Sequence, residues 1–126
     1  MKNKMSIGLA LIISVVVTGC PEPSRESRRD TAADARCGRL EECGRLGSGG
    51  TYTDFDDCVV EVRSDFNDFW PASECSDGRM NEELYEECLQ DLRTSDCNQN
   101  TFDNFINTLG FGIECGANNV CVDPPD

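Results

Sequence analysis

The feature that most constrains this chain is its cysteine content. Of nine cysteines, one stands at position 20 and the others are scattered from position 37 to position 121. The scattered set is even in number, and in an exported chain such a set predicts a four-disulfide framework. A small domain depends on such bonds because its hydrophobic core is limited. The cysteines predicted to be structural are Cys37, Cys43, Cys58, Cys75, Cys88, Cys97, Cys115 and Cys121.

Cysteine spacing disfavours two other uses of these thiols. Zinc sites typically draw on C-x2-4-C pairs and on histidine, whereas the closest pairs here are C-x5-C and C-x8-C and the chain has no His. A thiol redox enzyme typically carries C-x-x-C, which this chain lacks. We therefore expect no metal and no other cofactor.

The first nineteen residues have the pattern of an export signal. Lys2 and Lys4 precede an uncharged apolar run at 5–17, which is shorter than the roughly 20 residues that a membrane-spanning helix needs. The sequence Val-Thr-Gly-Cys at 17–20 resembles the lipobox of bacterial lipoproteins. We expect cleavage before Cys20 and a lipid anchor on that cysteine; the alternative is an ordinary secretory signal in which the cysteine is incidental.

Charge and the residue after the anchor indicate location and partners. Pro21 stands where an Asp commonly marks inner-membrane retention of lipoproteins, which favours the outer membrane of a Gram-negative cell envelope and leaves the leaflet open. The net charge of −13 becomes −15 once Lys2 and Lys4 leave with the signal. This acidity disfavours nucleic acid and anionic headgroups. Apart from the membrane engaged through lipid, the expected partner is a protein, a peptide or a cationic small molecule.

The mature chain divides into a tether and one domain. Residues 20–30 form the predicted lipidated N-terminus and disordered tether, because 21–30 hold two prolines and six charges but no large apolar side chain. Residues 31–126 form the predicted cysteine-rich helical domain.

Apolar spacing and capping residues predict two helices in the first half of this domain. The first is expected over 32–46, with Thr31 as its cap and the glycine-rich run 47–50 as its stop. The second follows Thr53, carries the clearest apolar stripe in the chain, and should end just before Pro71.

Two further helices are expected in the second half. Asn81 is suited to cap a third helix that ends near Arg93. A short fourth helix is expected between Thr101 and Gly110. No segment has a convincing strand pattern.

Together these elements predict an all-α fold: a small disulfide-stapled bundle of three main helices plus a short fourth. Cys43 and Cys58 lie almost symmetrically about the glycine-rich loop, so they are predicted to face each other across the first helical hairpin. Most aromatic residues are expected in the core, at helical spacing: Phe55, Phe66, Phe69, Phe102 and Phe105. Tyr52, Trp70 and Phe111 stand at element boundaries, and packing over a helix end is the better expectation for them.

The residue inventory disfavours catalysis. Without His, and without Lys in the mature chain, the commonest general bases and Schiff-base amines are missing. An extracytoplasmic enzyme would instead need two facing carboxylates, one with a raised pKa. The candidate carboxylates are expected to interact with helix dipoles or solvent, and no stretch matches a calcium-binding loop. These candidates are Asp54, Asp56, Asp57, Glu82, Glu83, Glu86 and Glu87.

One further pattern extends over about residues 34–122. Its residues are Cys37-x5-Cys43, Leu46-Gly-Ser-Gly-Gly50, Tyr52, Cys58, Arg63, Cys75, Gly78, Leu84, Cys88-Leu89, Cys97 and the tail from Cys115 to Cys121. This pattern resembles a family of small cysteine-rich bacterial lipoproteins associated with natural-product biosynthesis gene clusters. The resemblance implies a biosynthetic context and no catalytic residues. It leaves two expectations: a noncatalytic binding or structural module, or an accessory in production, export or self-protection for a natural product.

Overall fold

A computed structural model of the chain describes residues 19–97 and 115–122. In these residues the chain forms four helices and no strand beyond two isolated bridges, which confirms the all-α class. The helices are α1 (Arg25–Glu42), α2 (Phe55–Phe69), α3 (Glu82–Thr94) and the short α4 (Ala117–Val120). The predicted signal peptide and the predicted helix between Thr101 and Gly110 lie outside the described residues, apart from Gly19.

The central element is α1, which packs against both α2 and α3. Arg25 at its start donates to the Trp70 carbonyl just beyond the end of α2, so α1 and α2 are antiparallel. Arg39 near its end donates from Nε to the Ser95 carbonyl at 2.8 Å, just beyond the end of α3, so α1 and α3 run in the same direction. The bundle is therefore up-down-up.

The core lies between these three helices and is closed by an aromatic cluster. The rings of Phe66 and Trp70 have centroids 4.7 Å apart, and Tyr85 lies edge-on to Trp70 at 6.0 Å. The Trp70 indole Nε1 donates to the Cys115 carbonyl at 2.7 Å, which ties the segment before α4 to the core. Trp70 is fully buried and Tyr52 is 8% exposed, so the expectation that both pack at helix ends is confirmed.

Three other aromatic predictions have mixed outcomes. Phe66 is buried as expected, whereas Phe55 and Phe69 are only partly buried against the core. Phe102, Phe105 and Phe111 lie outside the described residues.

The start of α1 differs from the prediction. The helix begins at Arg25, so residues 25–30 are its first turns and the tether predicted over 20–30 is wrong in that part. Ser24 is the cap and accepts from the Ser27 backbone N–H at 3.1 Å. Thr31 lies inside the helix, where its hydroxyl donates to the Ser27 carbonyl at 2.9 Å. The arginine-rich residues 25–30 can form part of a packed helix because the apolar stems of arginine side chains cover the core while their guanidinium groups bind polar partners.

The end of α1 also comes earlier than predicted, at a glycine before the glycine-rich run. Gly44 adopts φ +65°, and its N–H donates to the Glu41 carbonyl at 2.9 Å. The next N–H, of Arg45, donates to the Leu40 carbonyl at 2.9 Å. These two bonds form a Schellman motif, which satisfies the last carbonyl groups of the helix.

A matched pair of glycine substitutions tests this ending. We expect Gly44→Ala to lower the free energy of unfolding by about 1–2 kcal/mol, because an L-residue is strained at positive φ. Gly38 lies inside α1 with nothing within 4 Å of an added Cβ, so Gly38→Ala should instead raise stability by roughly 0.5–1 kcal/mol. Urea denaturation followed by circular dichroism measures both, and equal effects of the two changes would contradict the assignment of Gly44 as the stop.

The start of α2 differs from the prediction by one residue, and the start of α3 agrees with it. Asp54, one residue after the predicted Thr53, caps α2 and accepts from the Asp57 N–H at 2.9 Å. Asn81 caps α3 as predicted, and its side chain accepts from the Leu84 N–H at 3.0 Å. The end of α2 before Pro71 is confirmed.

All eight domain cysteines form disulfides, and the predicted Cys43–Cys58 pair is wrong. The bonds join Cys37 to Cys58, Cys43 to Cys97, Cys75 to Cys121 and Cys88 to Cys115. The helix α1 ends before the glycine-rich loop, and α2 returns alongside α1. Cys58 therefore lies beside Cys37. Cys43 lies beyond that contact, next to the segment that leaves α3.

Candidate functional site

The carboxylates singled out from the sequence are all exposed and fall into two separate groups, of which Glu82 and Glu86 line one groove. Those near Asp54 lie at the start of α2 and those near Glu82 at the start of α3, which are opposite ends of the bundle. Asp54 caps its helix, and Asp57 accepts from the backbone N–H and the hydroxyl of Thr53 at 3.0 and 3.1 Å. Their arrangement suits helix capping and solvation, and it gives no facing acid–base pair.

A groove of 220 Å³ lies between the first half of α1 and α3. It combines apolar walls with charges of both signs. The residues that line it are Pro23, Ser27, Arg28, Thr31, Glu82, Tyr85, Glu86, Leu89 and Arg93.

Arg28 and Tyr85, which both line this groove, contact each other. The Arg28 guanidinium lies over the Tyr85 ring, 4.9 Å from its centroid, and is ion-paired with Glu82. The Tyr85 hydroxyl donates to the Arg28 carbonyl at 3.1 Å. Burial raises the pKa of Tyr85 above its usual value, although a hydrogen bond with Thr31 opposes the shift. Tyr85 is thus a neutral hydrogen-bond donor that links α3 to α1.

A second depression of 340 Å³ is polar and lies beside the Cys75–Cys121 disulfide. Arg79 lines it and donates to the carbonyl groups of Ser73 and Val122 at 2.8 and 3.2 Å. These bonds hold the segment after α4 against the α2–α3 loop, so Arg79 has a structural role here.

Charged side chains of α1 and α2 also lie close together at the interface between these helices. Arg36 is 2% exposed, and it attracts the carboxylate of Asp65. Desolvation by burial nevertheless raises the pKa of Asp65 above its ordinary value of 3.8, and repulsion by Glu61 and Asp68 adds to the shift. Burial similarly raises the pKa of Tyr52.

The raised pKa of Asp65 predicts a pH-dependent effect of its removal. A carboxyl group whose pKa is higher in the folded protein than in the unfolded chain lowers the free energy of unfolding when it is ionised. This destabilisation disappears as the pH falls through the native pKa and below 3.8, because Asp65 is then protonated in both states. We expect Asp65→Asn to raise the midpoint of thermal unfolding at pH 7 and to lose this advantage below pH 3.8. Glu87→Gln, the same charge change at an exposed position, should shift the midpoint less. An advantage of Asp65→Asn that is equal at both pH values would contradict this account.

The cysteines predicted to be structural and Cys20 differ in the structure. The eight domain cysteines form disulfides, whereas Cys20 is exposed and forms none, five positions before the start of α1. Over residues 19–97 and 115–122, no group of three or more His, Cys, Asp or Glu side chains is arranged to hold a metal ion. Within the same residues, no helix is both long and apolar enough to cross a membrane.

Comparison with known proteins places these cysteines in a family. The model of DUF6184, a family of unknown function, matches residues 37–123. The chain belongs to this family. The DUF6184 match starts at Cys37 and ends just after Cys121, so it contains all eight disulfide-bonded cysteines and leaves out Cys20. No curated protein and no solved structure matches the chain.

Sequence reasoning missed the two buried arginines of α1, although a signal was present. Arg28, Ala32, Arg36 and Leu40 stand at i, i+4, i+8 and i+12, which forms a row along the helix. The buried face is continuous through Arg28 and Arg36, which are 6% and 2% exposed. This buried face is not recognised from the sequence when arginine is counted only as a polar residue.

Proposed function

We propose that this DUF6184 protein is an exported, lipid-anchored, noncatalytic module that presents an acidic surface to a protein, a peptide or a cationic small molecule. The observation that carries the proposal is the use of its cysteines. Eight are committed to disulfides within the domain, and the exposed Cys20 stands alone ahead of the first helix. This pattern is what we expect if Cys20 carries the lipid and the other eight cysteines stabilise the fold.

Two further features support the anchor and the compartment. Cys20 ends the lipobox-like sequence at 17–20, and it lies outside the region that the family match covers. Four disulfides suit an oxidising compartment such as the bacterial periplasm or cell surface. We propose the outer membrane as the destination because Pro21, and not Asp, follows the anchor cysteine.

The acidic exterior supports the choice of partner. Exposed carboxylates lie on both α2 and α3, and the net charge is −13 for the whole chain. Long-range attraction of this kind draws a cationic partner and weakens as salt screens it. It repels nucleic acid.

A second candidate function follows from the resemblance to lipoproteins of natural-product gene clusters. There the acidic module would be an accessory that sequesters a cationic product during export or self-protection. The mixed-charge groove between α1 and α3 offers a place for a small product, since it joins apolar walls to Glu82 and Glu86.

Lipidation is tested by expressing the full chain in a Gram-negative host. We expect the wild-type protein to fractionate with membranes and to carry lipid mass on Cys20. Cys20→Ser, the matched control, should carry no lipid mass and keep the fold, because Cys20 is exposed and outside the disulfides. Wild-type protein that carries no lipid, or a Cys20→Ser variant that carries the same lipid mass, would contradict the anchor.

Partner choice is tested by titrating the detergent-solubilised protein with a hexa-arginine peptide. We expect binding at low salt that weakens several-fold as ionic strength rises towards 0.15 M, where the screening length is about 8 Å. An uncharged peptide of equal length is the control and should not bind. Failure of the cationic peptide to bind at low salt would remove the acidic surface from the proposal.

A further inference from the structure

The segment between the proposed anchor and the folded domain is short. Only residues 21–24 separate Cys20 from the first residue of α1, and two of the four are prolines. Five residue steps, from Cys20 to Arg25, span at most about 18 Å when the chain is fully extended. Prolines keep such a segment extended and stiff. The domain therefore cannot move far from a lipid attached at Cys20.

The start of α1 is held to the rest of the bundle, so it does not readily lengthen this segment by unwinding. The Arg25 backbone N–H donates to Asp77 Oδ1 at 2.8 Å, and its side chain donates to the carbonyl groups of Trp70 and Asn67. One turn later Arg28 is buried and pairs with Glu82. Unwinding the first turns would break contacts with α2, the α2–α3 loop and α3 together.

These contacts also show which parts of the molecule lie at this end. We call it the anchor end: residues 21–29 together with 67–82, which include the end of α2 and the start of α3. The opposite end, here the far end, contains the glycine-rich loop at 44–53, the start of α2 and the Cys43–Cys97 disulfide. The 18 residues of α1 separate the two ends by about 27 Å.

We propose that the lipidated protein is held with its anchor end against the bilayer and its far end away from it. This inference rests on the proposed lipidation of Cys20. The lipid surface it fits is one without net charge. The exposed acids Glu26, Glu74 and Asp77 lie at the anchor end, where Arg25 and Arg29 are engaged with Asn67.

The chain contains its own reporter for this arrangement. Trp70 is the one tryptophan in the sequence and lies buried at the anchor end. Energy transfer from its indole to dansyl-labelled headgroups in phosphatidylcholine vesicles measures its distance from the bilayer. The matched variant Trp70→Phe/Ser48→Trp moves the reporter to an exposed position at the far end. We expect transfer in that variant to be at least about threefold less efficient, since its reporter lies ~27 Å farther along the axis of α1.

A second variant keeps the native reporter and changes the tether. Inserting twenty Gly/Ser residues between Glu22 and Pro23 leaves Ser24 in place as the helix cap and Trp70 in the core. A flexible linker of that length has a root-mean-square span of about 25 Å. We expect transfer from Trp70 to fall at least twofold in this variant.

Vesicle flotation separates failure of the anchor from failure of the orientation. Wild-type protein that neither floats nor carries lipid mass overturns the proposed anchor, and the inference with it. Protein that floats but transfers equally from positions 70 and 48, or is unaffected by the longer tether, overturns the orientation alone. Floating protein with the expected order of transfer efficiencies supports both.

Discussion

Replacing Trp70 with alanine is expected to lower the free energy of unfolding by about 3–5 kcal/mol, the largest effect of any single substitution proposed for this domain. The side chain is fully buried and packs against Phe66 and Tyr85, with ring centroids 4.7 and 6.0 Å away. Its indole N–H also satisfies the Cys115 carbonyl, which would be left buried without this donor. Since small domains are stable by roughly 5–15 kcal/mol, such a loss removes much of the total.

Urea denaturation monitored by far-ultraviolet circular dichroism measures this effect without relying on tryptophan fluorescence. Trp70→Phe is the graded control, because it keeps an aromatic ring in the core and removes only the indole N–H and part of the volume. It should cost less than Trp70→Ala. Equal losses for the two variants would show that the hydrogen bond to Cys115 dominates, and a loss below about 1 kcal/mol in both would contradict the core described here.

Removing the Cys37–Cys58 disulfide is expected to cost about 3 kcal/mol in the double variant Cys37→Ala/Cys58→Ala. The bond closes a segment with a sequence separation of 21 residues and joins α1 to α2. Both cysteines are fully buried, so their replacement also removes packed sulfur atoms from the core. Without this bond the helical hairpin depends on side-chain packing alone.

Thermal unfolding under non-reducing conditions measures the loss, and a second cysteine substitution provides its control. Cys20→Ser changes one cysteine but breaks no disulfide, so its unfolding midpoint should equal that of the wild type. A double variant that unfolds at the same temperature as Cys20→Ser would show that the Cys37–Cys58 bond does not stabilise the fold.

Local signals in the sequence were sufficient for α2 and α3. Their apolar stripes, the Asn81 cap and the stop at Pro71 each act within a few residues, so their effects can be predicted without the rest of the molecule. The first helix was harder to predict because its early turns are stabilised from a distance. Arg25 is held by Trp70 and Arg28 by Glu82, partners more than forty positions away.

Disulfide pairing was predictable in number but not in partner. An even set of cysteines indicates that all can pair, whereas the choice of partners depends on the register between helices. Symmetry about the loop suggested Cys43 with Cys58, but α1 ends at Glu42, and the hairpin register places Cys58 beside Cys37. Register is set by packing across the whole interface.

In the candidate site, too, local features could be predicted from the sequence, whereas contacts between distant segments could not. Exposure of the carboxylates on α2 and α3 followed from helix periodicity. The groove between α1 and α3 could not be predicted, because it needs two parallel helices that are not adjacent in the sequence. Its Arg28–Tyr85 contact joins positions 57 residues apart.

The most direct test of the stapled bundle is disulfide mapping of the native, full-length protein by proteolysis and mass spectrometry without reduction. Four cross-linked pairs are predicted: Cys37 with Cys58, Cys43 with Cys97, Cys75 with Cys121 and Cys88 with Cys115. All eight cysteines should resist alkylation until the protein is reduced. A Cys43–Cys58 cross-link, or free thiols at the buried positions, would contradict the helix packing and the structural role of these cysteines.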